Sequence, residues 1–342
     1  MSELVKLLGG TATAWPLAVR AQTAQPVVGY LAQGSPEGTA DTVQLRAVVV
    51  EYRWAEGRND KFPALLADLI GRQVAVIVAP TTPAVLAAKT ATNTIPIVFF
   101  TAGDPVDLGL VTSLNLPDRN LTGATTLTLE VGPKWLQLLH DTVPSATSLA
   151  LLINPTSPNL AETQARDMQA AAHASGLQLH VLRASTVADL DTVFASIAQL
   201  GAGGLVISSD SFFFGQSKQL AMLAVRHAVP TIFGFREFVT AGGLMSYGGS
   251  LTESFRWVGI YTGQILKGAK PADLPVQRST KIELFINLQT AQALGIESAA
   301  HATYPSRGCY RMNWLDVRFW HKADITTVFQ RCLLLSEKRT SG

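Results

Sequence analysis

Cysteine is nearly absent from this sequence: the two present, Cys309 and Cys332, both lie close to its end. Residues 22–298 therefore offer no disulfide, no thiolate metal ligand and no cysteine nucleophile. A cofactor-independent racemase built from two lobes, which needs a cysteine facing its substrate from each lobe, is excluded on that ground. Charge is also scarce, at 15% of residues and a net +2, with no Lys or Arg run to follow a phosphate backbone, so nucleic acid is not an expected partner. After the N-terminal region, no apolar run reaches the roughly 18–20 residues that span a bilayer, so the mature chain is expected to be soluble and not membrane-embedded. No GxGxxG follows the first predicted strand and no Walker-type loop with lysine occurs, so the phosphate cradles of dinucleotide and phosphoryl-transfer enzymes are missing. His140, His173, His180 and His227 fall within predicted helices or strands, without HxxH or HExxH spacing, so neither a metal site nor a cofactor is expected. No nucleophile sits beside a paired base, and no catalytic residue is assigned.

What is present is enough chain, 342 residues, for two domains that each bury a core. Lys6, the mildly apolar stretch Leu7 to Ala18, and Val19-Arg20-Ala21 ahead of Gln22 have the layout of an export signal, predicting a signal peptide over 1–21 and a periplasmic protein. No cysteine lies near that cut to carry a lipid anchor.

From Gln25 onward, short β-rich runs alternate with amphipathic helical spacing, the pattern of βα units around parallel sheets. The alternation predicts an α/β fold of two doubly wound, Rossmann-like lobes: lobe one over 22–143, with return elements over 249–296, and lobe two over 144–248. The restart is placed after Pro144, at the strand Leu149 to Ile153. Thr252 is the expected cap of a long helix from Glu253 to Leu266. Trailing elements that cross back would join the lobes by a multi-stranded hinge. Residues 299–342 lack a βα pattern and read as an atypical tail, foreign to the fold and unstructured.

Glu51-Tyr52-Arg53-Trp54-Ala55-Glu56-Gly57, Ile95 to Phe99 with Gly103-Asp104-Pro105, and Asn154-Pro155 with Pro158-Asn159 carry a family resemblance. So do Phe235 to Val239, Gly242 to Gly248, Ile265 to Gly268, Pro271 to Gln277 and Ile286 to Leu288. Together they resemble the ABC-transporter substrate-binding proteins of the tryptophan-binding TrpX type, over roughly residues 5–296. The resemblance implies a type I periplasmic-binding-protein fold and a small-molecule ligand held between the lobes. It further implies delivery to a membrane permease with its ATPase, and suggests an aromatic or other hydrophobic amino acid as the ligand. Two features depart from the pattern: the tail, and a first crossover of only about 13 residues, Ser35 to Ala47, where members carry a full helix. A crossover this short should leave one sheet face uncovered.

Ligands of open parallel sheets collect outside the carboxyl ends of the strands. In lobe one this singles out Gln33, Gly34 and Ser35, then Thr81 and Thr82 before Pro83, then Thr101 and Asp104. In lobe two it singles out Asn154, Asn159, Ser209, Asp210, Phe235 and Glu237, with Ser246 beside the crossover glycines. Thr81 and Thr82 are expected to hold a carboxylate or to cap a helix. Asp210 is expected to accept an ammonium, beside Phe212 and its neighbouring phenylalanines, or to act as a cap over an ordinary core. Two other classes stay open: a two-lobe α/β enzyme, and the ligand-sensing domain of a regulator, which would carry a helix-turn-helix or a membrane span ahead of the first lobe.

Overall fold

The computed structural model describes residues 25–33, 48–117, 119–126, 128–279, 282–296 and 314–317. The expected signal segment, the first crossover with Gly34 and Ser35, and most of the tail lie outside the described residues.

The first sheet grows from β1 (Val27–Ala32), β2 (Val49–Trp54), β3 (Val76–Ala79), β4 (Ile97–Thr101) and β5 (Leu121–Thr125), with α1 (Phe62–Gly71) and α2 (Thr82–Ala91) between them. The runs VIVA and IVFFT are buried at every position, as strands covered on both faces must be. In α1, Phe62, Leu66 and Leu69 recur along one stripe and are buried against the sheet. α2 starts at a Thr81 cap followed by proline, with the Ala84 amide donating to Thr81 Oγ1 at 3.3 Å.

The second sheet is built from β6 (Ser148–Ile153), β7 (Gln178–Arg183), β8 (Leu205–Ile207), β9 (Thr231–Phe233) and β10 (Met245–Gly249). Its helices are α3 (Gly132–Thr142), α4 (Pro158–Ala174), α5 (Val187–Leu200), α7 (Ser217–Arg226) and two short turns, α6 (Ser211–Gly215) and α8 (Arg236–Thr240). α5 is closed at both ends by sequence signals, a Thr186/Asp189 capping box and Gly201 at φ 64°. The chain then runs through α9 (Leu251–Leu266), β11 (Gln277–Arg278), β12 (Ile282–Asn287), α10 (Leu288–Ala293) and β13 (Trp314–Val317).

The strand order is β11-β5-β4-β3-β1-β2 in the first sheet, parallel throughout, and β13-β12-β10-β9-β8-β6-β7 in the second, where β12 alone runs antiparallel to its neighbours β10 and β13. This is the expected pair of doubly wound α/β lobes. Among the described residues no helix is long and apolar enough to cross a membrane.

The lobes exchange chain differently from the expected boundaries. α3, placed in lobe one by a limit at residue 143, belongs to lobe two, because Trp135, Leu136 and Leu139 share a core with Leu149, Leu151 and Met168. Of the return elements, α9 and β11 join the first lobe, but β12 and α10 join the second. The chain thus passes between lobes near Thr126, at Gly249–Ser250 and after Ser279. These passages touch: Ser279 N donates to Thr125 O at 2.9 Å, and a Cβ on Gly249 would stand 3.1 Å from Thr126 Cβ and 3.2 Å from Ser279 Cβ.

Two further expectations are corrected. α9 begins at Leu251 with Ser250 as its cap, two residues ahead of the expected Thr252, because Ser250 Oγ accepts from the Glu253 amide at 3.3 Å. The tail is not wholly foreign to the fold, since Trp314–Val317 pairs with Leu284 to Asn287 as the outer strand of the second sheet. β2 forms the other sheet's edge, with no fully buried residue; Val49 and Tyr52 are about 40% exposed.

Candidate functional site

The carboxyl ends of both sheets face each other, and the two lobes stand closed. Past the end of β1, Gln33 Oε1 accepts from Ser211 Oγ of the second lobe while Gln33 Nε2 donates to Asn59 Oδ1 at 3.0 Å. Asn59 Nδ2 in turn donates to the Thr156 carbonyl across the cleft at 3.3 Å. Further in, one apolar cluster includes Ala102 and Phe100 of the first lobe together with Phe213, Phe233 and Phe235 of the second.

Beside the crossing passages the cleft keeps a polar pocket of about 340 Å³ of atom-free space, part of it open to solvent. Room for a water-sized body is only about 40 Å³ of this, so the closed lobes leave space for a small polar group, and a drug-sized solute requires them to part. One wall is lobe two: Glu237 from α8, Ser246 and Gly248 from β10, Glu283 and Phe285 from β12. The pairs Ser246↔Phe285 and Gly248↔Glu283 sit opposite each other in the ladder, so all four residues face the same side of the sheet. The other wall is the start of α9, Ser250 to Thr252.

Ser246 is 1% exposed and its hydroxyl has no partner among the described residues. Arg236 places its guanidinium 4.9 Å from the Phe285 ring centroid, a cation–π contact. Burial pushes the Glu237 carboxyl above its ordinary range, against the opposing pull of its own backbone amide and of Arg236. A carboxyl with a higher pKa folded than unfolded binds more protons in the folded state, so stability falls as pH rises from the unfolded value through the folded one. Glu237→Gln should therefore melt higher than the parent at neutral pH in the absence of ligand, with the difference closing by about pH 4, where the parent's carboxyl is protonated too. Melting curves at the two pH values check this, and a difference independent of pH would place its origin elsewhere.

Of the residues singled out from the sequence, Glu237 and Ser246 come together in this pocket. Gln33 sits past the end of β1, bonded to Ser211. The others mostly tie their own loops: Thr81 caps α2, and Thr82 and Thr101 bond each other through their hydroxyls at 2.7 Å. Asp104 Oδ1 accepts from the Val106 amide at 2.6 Å. Asp210 caps α6, its carboxylate taking Asn154 Nδ2 and Phe212 N, both at 2.8 Å, and Ser157 Oγ at 3.0 Å. Burial pushes its carboxyl up despite these donors, and both oxygens are occupied by its own chain. Ser209 is buried next to it with an unpartnered hydroxyl, outside the pocket. Phe212 packs on Phe213 with centroids 5.3 Å apart, and Phe235 lies edge-on between Phe214 and Phe233, all within the core cluster. The side chain of Asn159, on α4, lies outside the described residues.

Sequence reasoning missed Asn59, Ser211, Ser250 and Glu283. Two signals were present: Ser250 and Glu253 have capping-box spacing directly after Gly248-Gly249, and Glu283 interrupts an otherwise apolar strand, IELFIN.

A family model described as ABC transporter substrate binding protein matches residues 26–302. A tyrosine-binding protein of Clostridioides difficile strain R20291 is 23% identical over 251 residues, covering 73% of this chain and 71% of that protein. A conserved domain protein from Vibrio cholerae O1 biovar El Tor superposes with a TM-score of 0.70 at 23% identity, over 80% of this chain and 95% of the other. An ABC domain from Streptococcus pneumoniae in complex with L-Trp gives a TM-score of 0.67 at 21% identity, over the same shares. The fold shared with these and with periplasmic binding proteins is the two-lobe type I architecture.

Proposed function

Since this chain belongs to the ABC transporter substrate binding protein family, we propose that it works as the periplasmic solute-binding component of an importer, closing on a small molecule and handing it to a permease with its ATPase. In this reading the protein performs no chemistry on the solute. The observation that carries it is the position of the polar pocket: at the strand ends, between a wall from each lobe, and next to the three touching passages about which the lobes can swing. A solute that contacts both walls favours the closed form over the open one, and shifts the equilibrium only by that preference.

An L-amino acid with an aromatic side chain is the favoured solute, supported by relatives that are named for tyrosine or hold L-Trp. A thermal-shift screen of the full chain against L-tyrosine, L-tryptophan, L-leucine and free sugars tests this. Binding at a hundred times Kd should add about 2.7 kcal/mol to stability and raise the melting point accordingly. A sugar as the sole stabiliser would replace the ligand class; no stabilisation by any compound would overturn solute capture, and turnover of a bound compound would overturn the non-enzymatic reading.

A further inference from the structure

Building on that reading of solute capture, we infer that the pocket beside the crossing passages is a headgroup site for a zwitterionic α-amino acid, with Glu237 and Ser246 receiving the ammonium and the N-terminus of α9 receiving the carboxylate.

The carboxylate half rests on α9. The first amides of a helix have no acceptor within it and carry a partial positive charge. Ser250 Oγ satisfies the Glu253 amide, which leaves the amides of Leu251 and Thr252 at the pocket wall for an anion. The helix runs for 16 residues, long enough for its dipole to be developed. A second and independent feature points to a ligand at the same place: Ser246, 1% exposed, faces the pocket with a hydroxyl that no group among the described residues satisfies. Most buried hydroxyls in folded proteins have partners, and that of Ser246, unlike the buried hydroxyl of Ser209, lies where a solute in the pocket supplies one.

The ammonium half rests on Glu237. Among the described residues the cation that acts on it is Arg236, which forms no ion pair with it and lies instead against the Phe285 ring. A half-buried carboxylate without a close cation is poorly placed in the empty protein and well placed once an ammonium arrives. The helix dipole on one side and the Glu237 carboxylate on the other make a field of opposite signs across a single small pocket. A zwitterion matches both ends; a sugar matches neither charge, and a plain carboxylic acid or plain amine matches only one. The two ends also belong to different lobes, so the headgroup itself bridges the cleft.

The test uses the full unaltered chain with L-tryptophan, tryptamine and indole-3-propionate, and the tyrosine series L-tyrosine, tyramine and 3-(4-hydroxyphenyl)propionate, by isothermal titration calorimetry. Loss of either charged group should weaken binding by about ten- to a hundredfold, as expected when a charge-assisted hydrogen bond is removed. Glu237→Gln should weaken the amino acid by a similar factor while leaving indole-3-propionate nearly unaffected, and Ser246→Ala should act in the same direction more weakly. Equal binding of an amino acid and its des-amino analogue overturns the headgroup assignment, as does an unchanged amino-acid affinity in a folded Glu237→Gln. So does binding of sugars alone, which leaves solute capture standing. Absence of binding by amino acids and sugars alike removes the capture reading and this inference with it.

Discussion

Trp135→Ala should lower the stability of the second lobe by about 3–5 kcal/mol, the range for emptying the site of a large buried aromatic side chain. Trp135 is fully buried in α3 between α4 and the sheet, and its indole Nε1 donates to the Tyr247 carbonyl of β10 at 2.6 Å. The residue thus fixes the strand that carries Ser246 and Gly248 into the pocket, so the loss should reach ligand affinity in whatever protein remains folded. Trp135→Phe separates the two contributions. It keeps most of the apolar volume and strands one carbonyl, for a loss of about 1–3 kcal/mol. Urea unfolding of the three proteins gives the comparison; a loss under 1 kcal/mol for alanine would mean that α3 is not anchored through this ring.

Gly123→Ala should be comparably damaging for a different reason. A methyl at position 123 would stand 2.1 Å from the Phe99 carbonyl oxygen and 2.8 Å from the Phe99 carbonyl carbon and amide nitrogen. The obstruction is backbone of the paired strand, in the register Phe99↔Gly123, and it cannot rotate away as a side chain would. β4 and β5 would have to separate just ahead of the first passage between lobes. The cost should meet or exceed the upper end of the roughly 1–3 kcal/mol seen for overpacked cores. Gly259→Ala is the control: no atom lies within 4 Å of its added carbon, and the exchange within α9 should stabilise by about 0.5–1 kcal/mol. Should the two variants unfold at the same denaturant concentration, close strand approach at Gly123 is not a constraint.

The lobes were legible in the sequence because strands buried on both faces must be short and apolar, as Val76 to Ala79 and Ile97 to Thr101 are. Helix ends with a chemical marker were legible for the same kind of reason: Thr81 before proline, Thr186 with Asp189, and Gly201 after α5. Membership of a lobe was less so. α3 precedes the strand it packs on, and β12 follows two elements of the first lobe before rejoining the second, which no local pattern reveals. The acidic residues illustrate the limit at the site. Asp210 and Glu237 both follow a strand end, but the short side chain at the cap position is taken up by Phe212 N, Asn154 and Ser157, while the longer one, two residues past the cap, lines the pocket as well as meeting its own amide. Periodicity cannot tell these apart. Glu283 was visible as a charge within an apolar strand, but only the pairing of β12 with β10 shows which face it occupies.

The placement of α9 on the first sheet sets the order in which the chain can mature during synthesis. α9 lies over β3, β4 and β5, where Phe255 meets Phe100 with centroids 5.3 Å apart, and β11 then completes the edge beyond β5. Roughly 125 residues separate the end of β5 from the first turn of this helix. At ribosomal rates of about 5–20 residues per second, the N-terminal sheet waits some 6–25 s with an oily flank bare. It cannot ripen as an autonomous unit, and a nascent or truncated chain that stops before Leu251 is a natural client for chaperones.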